Sequence, residues 1–357
     1  MSFTEEKRDS VKKYILYKIS EDDPDFISKA QEIAGSSITT IKNYLKEVVL
    51  LNQIVPSNKA KCGYEPVTIR HEFSCSIDEY TDENVIYADF VSPILDNEAG
   101  LGANARHIID YAFLEMVNNA IEHSQGKNIN ISIITDPVNV SVVIRDDGLG
   151  IFKVIEEYFA ENGARVDSLT ELYKGKITTK SENHSGEGIF FTSRMVSEFG
   201  IISDNRVLSG GVNQIYKLKS SHLVSYFTSF NKIGTMVVFR VNKDMKVSTK
   251  EVFNKYSNED GFNVTHIPVS LICGSLGPLS RSQARQICYR LEEFSEAIID
   301  FDGVDDMGQG FSDEIFRVYA TAHPDIKLRP TNANIDVIRM IKHVGRGNLC
   351  SNVILPK

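Results

Sequence analysis

Glu115 and Asn119 stand four residues apart in the apolar stretch YAFLEMVNNAIEHSQ, residues 111–125. That spacing puts both on one helical face. Alone, it suits either a plain amphipathic helix with a solvated stripe or side chains aimed at a ligand. Further along, IRDDGLGIF places Asp146, Asp147, Gly148 and Gly150 at the close of an apolar strand. Glycines there let backbone approach a flat ligand, or make turns that need a positive φ. In NHSGEGIFFTSRMVSEFG, Gly186 and Gly188 precede a helix whose unpaired amino-terminal amides can hold phosphate oxygens. KIGTMVVF opens a strand with Gly234 and Thr235. No G-x-x-x-x-G-K-[ST] run is present, so a P-loop is not indicated.

The elements that must position these residues fall into three stretches. In the first, DFISKAQEIAGSSITTIKNYLKEVVLLNQI predicts two helices joined at Gly35, with Ser36 or Ser37 as the second helix's N-cap. Two short helices across a tight glycine turn make a helix-turn-helix, and IVPSNKAKCGYEP predicts a β-wing behind it. The second helix offers Thr39, Thr40, Lys42, Asn43 and Lys46 to a major groove and its phosphates. The alternative is a helical docking or dimerisation module, and the many acidic residues around it nearly cancel its basic charge. In the second stretch, NINISIITDPVNVSVVIRDD predicts a hairpin and TMVVFRV a further strand. From about residue 246, strands and helices alternate, with VSLIC, AIIDF and IKLRP read as strands, which implies parallel pairing. The expected domains are therefore 1–65, 66–245 and 246–357, in a multidomain α+β chain.

Composition narrows the classes. The 357 residues are 42% hydrophobic, enough for a substantial core, and the formal net charge of −9 gives no whole-chain pull toward nucleic acid. No apolar run approaches a bilayer span, and the amino terminus lacks a signal core, so a cytoplasmic protein without membrane contact is expected. Five cysteines without CxxC spacing fit reduced thiols better than disulfides or zinc.

In order, E-x-x-x-N, D-x-G-x-G, G-x-G and G-T resemble the four nucleotide boxes of the GHKL (Bergerat-fold, HATPase_c) ATPases. These include the ATP-binding domains of gyrase, Hsp90, MutL, histidine kinases and anti-sigma kinases. The resemblance implies a Bergerat α/β sandwich that binds ATP and Mg²⁺. By it, Glu115 positions or deprotonates the attacking water, Asn119 ligates Mg²⁺ and Asp146 accepts from the adenine amino group. Gly148 and Gly150 give base and phosphates room, and Thr235 completes the adenine pocket. Gly186 and Gly188 form the lid hinge and phosphate cradle. The lid runs over about 152–185, with Lys176 and Lys180 candidates to reach the γ-phosphate. His123 and His184 border the site as supporting residues.

The carboxylate at Glu115 differs from the amide usual in histidine kinases, and the pair His71-Glu72 sits in an alternating, β-branched setting that predicts a strand rather than a phospho-accepting helix. The last segment resembles the STAS-like domains found behind winged-helix and GHKL modules. STAS domains are phosphorylated by anti-sigma kinases on a serine before a helix, but here DDMGQGFSDE places Gln309 or Gly310 there. Ser312 reads instead as a helix N-cap. The function expected is an ATP-dependent regulator with slow hydrolysis, whose nucleotide state controls how it engages DNA or protein. The alternatives are an anti-sigma-type serine kinase and a non-enzymatic ATP-sensing adaptor. Double-stranded DNA, a protein partner through the STAS-like domain and a second copy of the chain are the candidate partners.

Overall fold

The computed structural model describes residues 4–177, 186–204, 206–210, 234–259, 261–345 and 348–356. The chain opens with helices α1 (Glu5–Ser20), α2 (Phe26–Ala34) and α3 (Ile38–Leu50), then a short hairpin, β1 (Ile54–Pro56) and β2 (Tyr64–Pro66). Strand β3 (Ile69–Ser76) leads to α4 (Glu83–Ile86), α5 (Ser92–Asp96) and the long α6 (Ala103–His123). Next come β4 (Asn128–Thr135), β5 (Asn139–Asp146), α7 (Ile151–Glu161), α8 (Ser168–Lys174) and α9 (Gly188–Met195). Strands β6 (Glu198–Ser203), β7 (Arg206–Gly210) and β8 (Met236–Asn242) follow, then α10 (Thr249–Tyr256) and the short β9 (Ser257–Asn258) and β10 (Gly261–Phe262). The chain continues as β11 (Val264–Pro268), α11 (Val269–Cys273), α12 (Arg281–Cys288) and β12 (Glu296–Asp300). It finishes with α13 (Gln309–Asp313), α14 (Ala320–Ala322), β13 (Lys327–Thr331) and α15 (Ile335–Val344).

Two compact units emerge: Met1–Gly148 with Val196–Lys246, and Leu149–Met195 with Val247–Lys357. In the first, six antiparallel strands lie in the order β3-β4-β5-β8-β6-β7. Ile129, Ile131 and Ile133 of β4 are buried, as are Val140, Val142 and Ile144 of β5, so apolar residues line the inner face at period two. Helix α6 lays Ile108, Ile109, Ala112, Phe113, Met116, Val117 and Ala120 into the core. Their three- and four-residue spacing leaves the polar residues on the remaining arc. Each such aliphatic or aromatic side chain is worth roughly 1.5–3 kcal/mol when fully buried.

The helical amino-terminal part follows its sequence closely. Gly35 ends α2 with φ 59°, and Ser37, not Ser36, caps α3 by accepting from the Thr40 amide at 3.2 Å. β1 and β2 pair antiparallel, and Val138 from the β4–β5 turn packs against the cluster of Ile15, Phe26, Ile41 and Val48. His71 lies on β3, paired with Ile133, as its alternating setting predicts.

The second unit carries a parallel sheet, β11-β12-β13, backed by a core of Ile267, Ala297, Ile299, Leu328, Phe311 and Phe316. VSLIC is a correction: residues 269–273 form helix α11, and the strand is the preceding Val264–Pro268. Val269 and Cys273 bury at helical spacing, while Thr265 and Ile267 bury at strand spacing, so the period changes at Pro268. Helix α12 stops at Cys288, because Arg290 takes a left-handed φ of 61°. The N-cap reading of Ser312 is also corrected. Gly308 stands at the cap, Ser312 lies inside α13, and its hydroxyl is buried without a hydrogen-bond partner among the described residues.

Candidate functional site

Of the residues expected at a nucleotide site, Glu115, Asn119, Asp146, Gly148 and Thr235 lie in the first unit. Gly150, Gly186 and Gly188 lie in the second, and Lys180 lies outside the described residues, as does His184. Each group is built by its own unit's elements.

Asp146 ends β5 and is only 6% exposed. Its Oδ1 accepts from the Gly148 amide at 2.9 Å and the Thr235 amide at 3.1 Å. Burial pushes the carboxyl up to about 6, although both amides pull it down. Both amides converge on Oδ1. Thr235 is itself buried, next to Gly234, whose φ is 80° and where an added Cβ would stand 2.1 Å from the Asp146 carbonyl oxygen. The G-T pair is therefore built against the aspartate.

Packing requires a glycine at 148. A Cβ there would meet the Ser124 carbonyl oxygen at 2.0 Å, so the loop is pressed against the carboxyl end of α6. Asp147 serves the same junction: its Oδ1 accepts from the Lys127 and Asn128 amides at 2.7 and 2.9 Å, and its Oδ2 from Asn128 Nδ2 at 2.7 Å. The sequence motif gave Asp147 no role of its own, although an Asp-Asp-Gly after a strand offers such a staple. The consequence is that Asp146 is held in register with α6. That helix carries Glu115 and Asn119 half-buried and four residues apart. His123 lies in its last turn, 3.8 Å from Glu122.

In the second unit, Gly150 precedes α7 with φ 92°, a conformation that glycine alone adopts readily. Gly186 has φ 65°, and a Cβ there would stand 2.2 Å from the Ile177 carbonyl oxygen. Gly188 is the first residue of α9. The stretch expected as a lid contains α7 and α8, and its residues 178–185 lie outside the described residues. Lys176 is committed elsewhere: its Nζ donates to the Glu293 carbonyl at 2.6 Å and lies 4.6 Å from the centre of the Phe294 ring. That engagement removes it as a γ-phosphate ligand in this structure.

At the amino end, Thr39, Lys42, Asn43 and Lys46 are exposed along one face of α3. Thr40 is half-buried, and its hydroxyl meets Ser37 Oγ at 3.0 Å.

Comparison with known proteins places names on two of these regions. Residues 86–211 match the family described as a histidine kinase-like ATPase domain. Residues 283–337 match a STAS-like domain of unknown function (DUF4325). The signal transduction histidine-protein kinase ArlS of Staphylococcus haemolyticus (strain JCSC1435) is 24% identical over 187 residues, 52% of this chain. The match covers 39% of that relative, so this chain corresponds to well under half of its length. The chain thus combines an amino-terminal helical region, a central GHKL-like ATP-binding domain and a carboxyl-terminal STAS-like domain. Among the described residues, no helix is long and apolar enough to cross a membrane.

Proposed function

We propose that this chain is a Mg·ATP-dependent regulatory protein that hydrolyses ATP slowly and whose nucleotide state controls engagement of DNA or a protein. The observation that carries it is the Asp146 carboxylate, buried inside a matched ATPase domain with the Gly148 and Thr235 amides on one oxygen. That leaves Oδ2 as the acceptor for an adenine amino group. A buried carboxylate is costly to retain for structure alone, and burial next to a specific set of donors is characteristic of functional sites.

The oxygen atoms of Asn119 and Glu115, one helical turn apart on α6, suit a hard divalent cation and a water beside it. Bound Mg²⁺ supplies charge neutralisation at the phosphates. In this reading Asn119 holds the cation, and Glu115 orients the water and accepts its proton. Asp146 fixes the base; by the resemblance alone, Gly150 gives base and phosphates room and Gly186 and Gly188 are the lid hinge and phosphate cradle.

The exposed stripe of α3 supports the DNA arm. Three acids of the amino-terminal region are paired off that stripe: Glu47 with Lys12 at 2.6 Å, Asp23 with Lys29 at 2.6 Å and Glu21 with Lys18 at 2.5 Å. Lys42 and Lys46 stay exposed, and Lys59 and Lys61 stand exposed between β1 and β2. In this reading helices α2 and α3 with the hairpin act as a winged helix-turn-helix, and Thr39, Lys42, Asn43 and Lys46 face the duplex. The five cysteines are free thiols, which suits a cytoplasmic setting. Burial of the Ser312 hydroxyl weighs against self-phosphorylation at that residue.

The test is Mg·ATP turnover with nucleotide affinity measured in parallel, in the wild type, Glu115→Ala and Asn119→Ala. Hydrolysis lost in Glu115→Ala with ATP still bound supports the reading. Binding without turnover in the wild type turns it into a sensor or a kinase, and absence of binding sinks it.

A further inference from the structure

The phosphate side of the proposed site depends on α9, an eight-residue helix that begins at Gly188. So short a helix is marginal by itself and must be held by its surroundings. Arg194, in its last turn, does much of this. One nitrogen, Nη2, donates to the carbonyls of Tyr173 at 3.2 Å and His266 at 2.9 Å, while Nη1 donates to Phe190 at 3.0 Å. The guanidinium lies 3.5 Å from the centre of the Phe190 ring. Tyr173 belongs to α8, and His266 is the middle residue of β11, which pairs in parallel with β12 of the STAS-like domain.

Helix α8 is itself locked. Lys174 is 1% exposed, and its Nζ donates to Glu171 Oε1 at 2.6 Å and to the carbonyls of Gln286 at 2.8 Å and Tyr289 at 2.6 Å. Three acceptors match the three donors of an ammonium. Arg290 Nη1 donates to Glu171 Oε2 at 3.0 Å, and Thr265 Oγ1 donates to the Lys174 carbonyl at 2.8 Å. Gln286, Tyr289 and Arg290 fall in the matched STAS-like segment, whereas α8 and α9 fall in the matched ATPase segment. A buried ion pair adds little net stability over an apolar replacement, and its best-attested use is fixing one arrangement.

We infer that Lys174 and Arg194 are positioning residues for the triphosphate: they fix α9 through α12 and β11, making the STAS-like domain a built-in part of the phosphate-binding element. Neither side chain needs to touch nucleotide. The inference rests on the proposed reading of Gly188 as part of the phosphate cradle. It also gives a route by which a partner on the STAS-like domain would alter ATP affinity, since both would bias one set of contacts.

Calorimetric titration of the full chain with adenosine and with Mg·ATP tests it. The expected result for Lys174→Met and for Arg194→Gln is adenosine affinity within about twofold of wild type and an ATP-over-adenosine preference lowered about tenfold, about 1.4 kcal/mol. A purely structural role would lower both affinities together, and that result overturns the inference, as does an unchanged preference. Should those variants fail to fold, Thr265→Val decides, because it deletes one hydroxyl bond to α8: a reduced preference supports the inference and an unchanged one overturns it. A wild type with no preference for ATP over adenosine overturns the reading of the site itself, and the inference with it. Preference retained in the variants overturns the inference alone.

Discussion

Asp146 and Thr235 are joined in both directions: the Asp146 amide donates to the Thr235 carbonyl at 3.0 Å, and the Thr235 amide returns a bond to Asp146 Oδ1 at 3.1 Å. The two residues are 89 positions apart, yet the end of β5 and the start of β8 set the carboxylate with no freedom to swing.

The cost of burying that carboxylate has a sign in pH. The Asp146 carboxyl is pushed up to about 6 in the folded chain, above its ordinary value of 3.8. Between those values the native state holds the proton more tightly, so its contribution to stability falls as pH rises from about 4 to about 6 and stays low above that. Asp146→Asn keeps an oxygen for both amides and removes the buried charge. The expected outcome is a higher melting midpoint at pH 7 to 8, worth up to about 3 kcal/mol, together with a large loss of ATP affinity, because an amide nitrogen would face the adenine amine. Wild-type ATP affinity should weaken below pH 6 as the acceptor is protonated. Melting and titration across pH 5 to 8 check both halves, and an unchanged or lower midpoint in Asp146→Asn would contradict the assignment.

Gly148→Ala separates packing from ligand space. Its Cβ would stand 2.0 Å from the Ser124 carbonyl oxygen, which is backbone and cannot swing aside. We expect a loss of about 1–3 kcal/mol, as for other overpacked positions, measured by urea unfolding without nucleotide. A variant as stable as wild type, but with weakened ATP affinity, would favour the ligand-space role that the resemblance implies.

How far the sequence was legible follows from what each residue answers to. Helix α6, the β4–β5 hairpin and the Gly35 turn were readable because each is decided within a few residues, by period, turn chemistry and a glycine of positive φ. The packing that requires a glycine at 148 was not legible, because its neighbour Ser124 is distant in sequence and no local pattern shows a carbonyl oxygen at 2.0 Å. VSLIC misled because five apolar residues fit a strand or a buried helix equally well. Ser312 misled because Ser-Asp-Glu imitates a cap, whereas the helix starts at Gln309. The Lys174 cluster was invisible: Glu171 and Lys174 are adjacent turns of one helix, but Arg290 lies 119 residues beyond Glu171.

The amino-terminal face yields a prediction in salt. Lys42 and Lys46 project from the exposed stripe of α3. In the proposed DNA reading, each contact to phosphate releases a counterion. Lys42→Ala and Lys46→Ala should each weaken duplex binding across sequences and reduce the slope of log K against log salt by about 1, while leaving ATP turnover unchanged. Asn43→Ala should instead alter which duplex is preferred. Fluorescence anisotropy at several salt concentrations measures this, and slopes that do not change would turn the face into a protein-docking surface.

The His266–Asp300 pair predicts acid sensitivity in the STAS-like unit. His266 Nε2 lies 3.0 Å from Asp300 Oδ2, while Asp300 Oδ1 accepts from Asn332 Nδ2 at 2.9 Å and the Asp302 amide at 3.0 Å. Burial holds the imidazole below its ordinary value, although Asp300 pulls the other way, so at neutral pH it donates as the neutral ring. Asp300 is also held below its ordinary value: its donors outweigh burial, which alone would raise it. Below about pH 6.5 the unfolded histidine takes up a proton that the buried one resists, so stability is lost as pH falls through that range. The Asp300 contribution follows only near the ordinary carboxylate range. His266→Gln keeps a donor for Asp300 but cannot titrate, so its urea midpoint should depend less on pH between 6.5 and 5 than that of the wild type. Parallel slopes for the two proteins would show that another group governs the acid limb.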